Sequence, residues 1–360
     1  MNRPLKTAVL ALTTFAGLLT MALSGCLRDP YDDYEVVIPT IPGWEVTSRE
    51  DGLEGNLRKL FFVNPADGFL IGYNGLFLQT SDSGKTWISR NSGTDQHLGN
   101  IFFVDENSGF ISGRGSDDCQ GGDCGKGSFL LRTVDGGGTW EKVFYDTLAY
   151  LESMVWRDAS HGLGVMEYRV SDQSSGRKLV RTDDAGDTWI AVNQAIPQTM
   201  SPQLVNTGDI CYLAGSDAVI KSTDFGLTWQ TLQTPPHMTG GWYRIYFYNS
   251  NLGFIADNAA VYRTADGGQT WQRTDSDMAY FDGMHFYDQY RGFCFSLLMQ
   301  YQGGDWPVIV GTYVYTTTDG GESWLRSDLF RGFYAGSLSF PTDETGYGIN
   351  GTNIHTFRKK

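Results

Sequence analysis

The chain is short of positive charge: 27 Lys and Arg stand against 41 Asp and Glu in 360 residues, a formal −14 at pH 7. A protein that tracks a phosphate backbone needs clustered cations, so nucleic acid is not an expected partner. No polybasic segment offers a route to an anionic membrane surface, which leaves attachment to other means. Histidine is equally scarce, with five widely spaced residues that do not group as a metal centre. No phosphate-cradling loop and no Ser/His/Asp arrangement stands out, so no cofactor is expected. Long apolar runs are confined to residues 7–23, which is short for a full membrane span.

That run has a different reading. Arg3 and Lys6 precede it, and Leu23-Ser24-Gly25-Cys26 follows it. A charged start, an apolar core and small residues before a cut describe a secretory signal peptide. The Leu-Ser-Gly-Cys ending resembles a bacterial lipobox, and that resemblance implies cleavage that leaves Cys26 as the new N-terminus, carrying the acyl chains. Residues 1–25 contain Arg3 and Lys6 and no carboxylate, so their removal makes the remainder more acidic still. Residues 26–43 hold Asp29, Asp32, Asp33 and Glu35 with Pro30, Pro39 and Pro42, and read as a hydrated tether. The expected location is the bacterial cell envelope, lipid-anchored, on the outer membrane or cell surface rather than the inner membrane.

What the sequence does have is a repeat. One octapeptide recurs six times: TSDSGKTW at 80–87, TVDGGGTW at 133–140, TDDAGDTW at 182–189, STDFGLTW at 222–229, TADGGQTW at 264–271 and TTDGGESW at 317–324. Apolar strand-like runs enter and leave each copy, so each is the turn of a β-hairpin. Its carboxylate (Asp82, Asp135, Asp184, Asp224, Asp266, Asp319) accepts turn N–H groups, and its glycine adopts backbone angles closed to other residues. Its indole (Trp87, Trp140, Trp189, Trp229, Trp271, Trp324) packs against neighbouring strands. The pattern resembles the Asp-box, or BNR repeat. On this reading these residues are structural, because a catalytic role would require six identical sites around one molecule.

Upstream of each box runs an apolar strand, a polar turn, and Gly-aromatic opening another strand, as in Leu60-Phe61-Phe62-Val63 then Gly68-Phe69. The copies at Met154-Val155-Trp156 with Gly162-Leu163, and at Leu204-Val205 with Cys211-Tyr212, are degenerate but in phase. Each unit therefore holds four short strands, the make-up of a propeller blade. Trp44 begins a run that matches the strand after a box, and the C-terminal residues 346–357 supply the strands before one. The two partial units complement each other. The expected fold is all-β: a single seven-bladed β-propeller over residues 44–360, with four-stranded blades, Asp-box hairpin turns and a ring closed by the N-terminal strand.

Extra residues fall in second-to-third turns, at 113–128, 167–178 and 300–311. Strand alternation places these on the face opposite the boxes. Loops on a rigid scaffold are where binding concentrates, so this face is the expected site, with Arg114, Asp117, Asp118, Arg169, Asp305 and Trp306 within reach. Asp123, Tyr168, Asp172 and Tyr301 accompany them. Cys119 and Cys124 share one loop and suit a local disulfide in an exported chain, whereas Cys211 and Cys294 read as small buried residues. The residue before each box is basic in four blades (Arg132, Arg181, Lys221, Arg263) and Gln79, Thr316 and His355 in the others. Two readings stand for this set: a partial ring of cations for a ligand, or long stems covering the blades.

Two function classes compete. Asp-boxes occur in sialidases, but the Arg-Ile-Pro segment of that family is absent and no close carboxylate pair is legible. A glycan-binding protein or sialidase-like glycoside hydrolase is therefore the second reading. The size, single propeller, lipobox and boxes of the form T-x-D-G-G-x-T-W resemble the Ycf48-like family, related to the plant photosystem II stability factor. The resemblance implies a non-enzymatic extracytoplasmic scaffold that binds a protein partner in the cell envelope and acts in assembly or stability of a membrane or surface complex. A glycan ligand stands behind the protein partner.

Overall fold

The computed structural model describes residues 38–50, 57–115, 127–171, 174–197, 202–235, 243–257, 260–274, 276–278, 281–300, 308–331, 333, 336–350 and 353–360. These form seven antiparallel sheets in sequence order around a ring. Blades 1 to 6 span residues 57–89, 97–146, 149–191, 204–232, 244–273 and 283–326, each running from an inner to an outer strand. In blade 6 a fifth short strand, Phe330–Arg331, also pairs with the third through Thr312 and Gly311. Blade 7 takes Ser337–Thr342, Thr345–Asn350 and Asn353–Lys359 from the C-terminus and Trp44–Glu50 from the N-terminus. The closing ladder runs from Trp44↔Lys359 to Glu50↔Asn353, and the Lys360 amide donates to the Gly43 carbonyl at 2.8 Å. The seven-bladed ring and its closure are as the repeat spacing predicts.

Burial grades outward along each blade. In blade 2 the strand Gly109–Arg114 is buried up to its last residue, while the outer strand Glu141–Asp146 holds no buried residue. Adjacent blades meet through aromatic pairs. Phe69 stacks on Phe103 at 4.2 Å between ring centroids, Phe110 on Trp156 at 3.4 Å and Tyr212 on Phe247 at 3.6 Å. In each pair the first ring comes from the second strand of one blade and the other from the inner strand of the next. The glycine before that second-strand aromatic has a steric cause. A Cβ on Gly109 would lie 2.6 Å from the Phe103 ring, and one on Gly253 2.4 Å from Phe247, because the blade's own inner aromatic lies over it.

The box tryptophans cap these junctions edge-on: Trp324 meets Phe254 and Phe286 at 5.9 Å each. Trp44 does the same for blade 7, against Phe293 at 5.2 Å and Phe340 at 6.1 Å. The first tryptophan of the chain is thus a box tryptophan without a box.

The edges of the inner strands face the channel, where unpaired N–H groups are unfavourable. Neighbouring blades supply partners. The Leu60 and Phe62 amides donate to the hydroxyls of Ser337 and Ser339, the Leu204 amide to Ser153, the Ile245 amide to Gln203 Oε1, and the Phe286 amide to the Tyr246 hydroxyl. This belt of polar side chains joins blade to blade around the axis.

Candidate functional site

One face of the ring carries the boxes. In each, the carboxylate is held as Asp135 is: the Thr139 amide and hydroxyl donate to it at 2.8 and 2.7 Å, and Thr133 Oγ1 donates at 2.8 Å while accepting from the Gly137 amide at 3.0 Å. The Thr86 hydroxyl and then the Thr86 amide hold Asp82 at a pKa of about 2. The fourth and fifth box residues are both left-handed, for example Gly136 at φ 70° and Gly137 at φ 84°. This geometry turns the fourth amide toward the first turn of its own blade, where Ser83 donates to Ala66 O, Gly136 to Asn107 O and Gly320 to Tyr290 O. Those first turns carry a second set of structural carboxylates and amides that the motif does not announce. Asn64, Asp105, Asp158, Asn249 and Asp288 each accept two successive turn amides through Oδ1. With every box occupied in the same structural way, the six box residues are brought to one face but not to one site.

Three of the residues before the boxes tie blades together, and the four basic ones are all bonded rather than free. Gln79 donates to Gly136 O at 3.3 Å, Lys221 to Gly267 O at 3.0 Å and Arg263 to Gly320 O at 2.7 Å, each reaching the fourth box residue of the next blade. In these three cases that residue is glycine, and a Cβ on Gly267 would lie 2.7 Å from the Lys221 amine. Where the fourth residue has a side chain the tie is absent. Arg132 bonds Glu141 of its own blade at 3.0 Å and reaches Asp187 at 3.6 Å, and Arg181 pairs with Asp183. Clefts of about 420 Å³ and 540 Å³ open at two untied junctions, lined by Arg181 and Phe225 in one case and Thr356 and Ser83 in the other.

The position in blade 7 is Thr356, not His355. Tyr347 pairs with Thr356 as Phe110 pairs with Arg132, so a one-residue count error sends His355 to the opposite side of its strand. There it is fully buried beside Phe333, at 4.5 Å between rings.

The opposite face holds the second-to-third connections. In blade 3 the added residues extend the hairpin itself, with strands Gly162–Ser171 and Ser174–Thr182. In blades 2 and 6 the strands Gly109–Arg114, Ser128–Thr133, Gly292–Gln300 and Val308–Thr317 bring the insertions to the same face. Arg114 is exposed, its guanidinium carbon 5.6 Å from the Tyr150 ring. Arg169 is exposed near the hairpin tip, and its amide donates to Leu148 O at 2.8 Å. Asp117, Asp118, Asp123, Asp172, Tyr301, Asp305, Trp306, the Cys119–Cys124 pair and Cys26 lie outside the described residues.

Residues of the inner strands, together with Arg177 and Lys178 at the end of the blade 3 insertion, complete this face at the channel mouth. Arg58 lies 5.3 Å from the Tyr73 ring, Lys59 donates to Asn100 Oδ1 at 3.2 Å, and Lys178 lies 5.2 Å from the Tyr168 ring. Arg177 grips Glu152 through two bonds of 2.6 and 3.0 Å. In an acidic chain, adjacent Arg58 and Lys59 at the start of an inner strand were the available signal. Among the described residues no group of three or more His, Cys, Asp or Glu is placed to hold a metal ion, and Cys211 and Cys294 are buried and free.

A family profile described as Photosynthesis system II assembly factor YCF48 matches residues 42–149 and 173–292. A Photosystem II assembly lipoprotein Ycf48 from Synechococcus sp. (strain RCC307) is 33% identical over 84 residues, 23% of each chain. Another from Synechococcus sp. (strain CC9902) is 23% identical over 193 residues, 53% of this chain and 50% of that one. The matched segments thus span half or less of these relatives' own lengths. A solved structure described as YCF48 bound to D1 peptide superposes over 91% of this chain and 100% of its own, at 14% identity and a TM-score of 0.63. That likeness is one of fold.

Proposed function

Because this chain belongs to the Photosynthesis system II assembly factor YCF48 family, we propose that it is a non-enzymatic, extracytoplasmic scaffold that binds a protein partner. Residues 1–25 direct export, lipidated Cys26 anchors the chain, residues 26–43 tether it, and residues 44–360 form the binding body in the cell envelope. Its relatives are named for photosystem II assembly, and the same role in general terms, holding a component of a membrane or surface complex during assembly, suits a rigid ring with one elaborated face. The observation that carries the reading is that three insertions reach the face opposite the boxes. The box face is occupied by repeated structural bonding. Arg114 and Arg169, with the insertion residues Asp117, Asp118, Asp305 and Trp306, are the proposed contacts. Cys119 and Cys124 are proposed to pin the blade 2 insertion.

Cross-linking of the natively lipidated protein in its own membrane, followed by mass spectrometry, tests the reading. A stoichiometric protein partner is expected, and it should be lost when residues 113–128 or 300–311 are trimmed. If no protein is enriched, the scaffold reading fails, and a glycan panel read for retention and cleavage tests the second one.

A further inference from the structure

Six of the seven blade junctions are bridged by hydrogen bonds. Gln79 crosses from blade 1 to 2, the Asn100 side chain from 2 to 3, and the Leu204 amide from 4 back to 3. Lys221 crosses from 4 to 5, Arg263 from 5 to 6, and the Leu60 amide from 1 back to 7. Among the described residues, neither a hydrogen bond nor an ion pair joins blade 6 to blade 7. The residue before the box of blade 6 is the short Thr316, and blade 7 has no box to receive a tie. Rings hold this junction instead. Trp44 and Phe357 share a buried cluster with Phe293, Phe295, Val314 and Phe333, and Lys359 lies over the Tyr287 ring at 5.1 Å.

Both of the buried histidines among the described residues stand here. His285, on the innermost strand of blade 6, stacks on Phe340 of blade 7 at 3.9 Å, with Trp44 edge-on at 5.9 Å. His355, on the third strand of blade 7, meets Phe333 at 4.5 Å. Neither ring nitrogen of His355 has a hydrogen-bond partner, and His285 Nε2 has none. The ionisable groups facing His285 are Tyr287 beside it and Lys359 from blade 7, whose charge opposes a second one. Its other ring neighbours, Trp44, Phe293 and Phe340, are neutral. His355 stands opposite Ser48 and Gly348 within its sheet and faces Phe333 across the junction, so it meets no carboxylate there. A proton on either ring would place an unpaired charge in an apolar junction, which is unfavourable until water reaches it.

We propose that the junction of blades 6 and 7 is an acid-operated seam: protonation of His285 and His355 parts these blades and releases the closing strand Trp44–Glu50, while the bridged junctions stay shut. The inference is independent of the scaffold reading, because none of these residues belongs to the insertions. While the seam is closed, burial holds His355 at about 4, and burial with the Lys359 charge second holds His285 at about 3. Wetted by opening, both return to the ordinary value near 6.5. Closure is therefore at full strength above about 6.5 and weakens as pH falls toward those lower values. Between pH 8 and pH 5 each ring shifts the balance toward the open seam by roughly thirtyfold, and the two together by roughly a thousandfold.

Amide hydrogen exchange of the full chain, read by mass spectrometry at pH 8 and pH 5 and corrected for the intrinsic pH dependence of exchange, tests this. Protection of residues 44–50 and 353–359 is expected to fall by roughly a thousandfold at pH 5. These segments should then exchange ahead of the blade 3 strands Gly162–Ser171 and Ser174–Thr182. Exchange of all four segments as one unit would mean that the ring unfolds as a whole, and overturns the seam. His285→Phe and His355→Leu should each remove roughly thirtyfold of the fall, and the double variant nearly all of it. Wild-type protection at pH 8 shows that a variant has folded. A folded double variant that keeps the full fall also overturns the proposal, and if that variant does not fold, the order of exchange in the wild type decides.

Discussion

Tyr347 of the last blade lies flat on Phe62 of the first, with ring centroids 3.6 Å apart and planes 9° apart. The Tyr347 hydroxyl donates to Pro65 O at 2.7 Å. This contact repeats, between the two ends of the chain, the same aromatic pairing that joins Phe69 to Phe103 within it. Ring closure is therefore made on both sides of blade 7, by Trp44–Glu50 at its outer edge and by this pair at the junction with blade 1.

Truncating the closure should be expensive. Phe62→Ala is expected to lower unfolding stability by about 4 kcal/mol, as for other buried aromatics. Tyr347→Phe keeps the stack and loses the hydroxyl's bonds to Pro65 and Ser83, so about 1 kcal/mol is expected. Urea denaturation of both variants separates the two contributions, and equal losses would show that the stack adds nothing.

The left-handed box glycines should differ in tolerance. Alanine at either Gly84 (φ 73°) or Gly321 (φ 81°) incurs a backbone penalty of about 1–2 kcal/mol. At Gly321 the new Cβ would also lie 2.5 Å from the Phe254 ring, while at Gly84 its nearest neighbour is at 3.6 Å. Gly321→Ala is therefore the more damaging of the two, which paired thermal melts will show.

Phe225 breaks the usual rule for a bulky residue, standing left-handed at φ 52°. Blade 3 offers Leu163 where other blades offer an aromatic, and Phe225 packs with it in the same buried cluster. Phe225→Gly relieves about 1–2 kcal/mol of backbone strain but empties a site worth about 3–5 kcal/mol, so a net loss of roughly 2 kcal/mol is expected. Ser83→Gly relieves similar strain without such a loss and should leave stability equal or higher. A stabilised Phe225→Gly protein would show that the ring fills no necessary space.

Two buried histidines set an acid limit. Burial, with the Lys359 charge second, pushes His285 down to about 3, and burial pushes His355 down to about 4. Both rings stay neutral in the fold, while in the unfolded chain they take up protons near pH 6.5. A base depressed by folding contributes its full stability above about 6.5, and that stability falls as pH drops from there toward about 4 for His355 and about 3 for His285. Asp82, held at about 2, adds a later loss as pH falls from about 4 toward 2. Urea midpoints compared across pH should fall below about 6.5, and His355→Leu should flatten the upper part of that decline. An unchanged slope would place the acid sensitivity elsewhere.

How much of this was legible depended on whether a residue acts within its own repeat. The six boxes, their tryptophans and the complementary ends fix blade number and closure, because each is read against its own copies. Gly109 and Gly253 announce the aromatic that overlies them for the same reason. Residues that act across blades were harder. Arg263 reads as a cation before a box, and only the glycine at position 320, one blade later, shows that it is a tie. His355 misled because blade 7 lacks a box to set its register. On the insertion face, Arg114 was reached by position, but Arg58 and Lys59 come from the start of another blade's inner strand, and the Lys59 bond to Asn100 exists only once the blades are side by side.

The N-terminal strand also has a mechanical meaning. Outer strands run from the box face toward the insertion face, so chain preceding Trp44 leaves from the box side. Any pull transmitted along that chain enters the ring through Ile41 and then the Trp44↔Lys359 end of the closing ladder. Tension along the strand axis loads the whole ladder in shear, while sideways tension peels it from that first pair. The residues that meet the load are Ile41, 2% exposed, and Trp44, 3% exposed, which share one buried cluster, with Trp44 wedged among His285, Tyr287, Phe293 and Phe340. The ring is thus braced where a leash would tug.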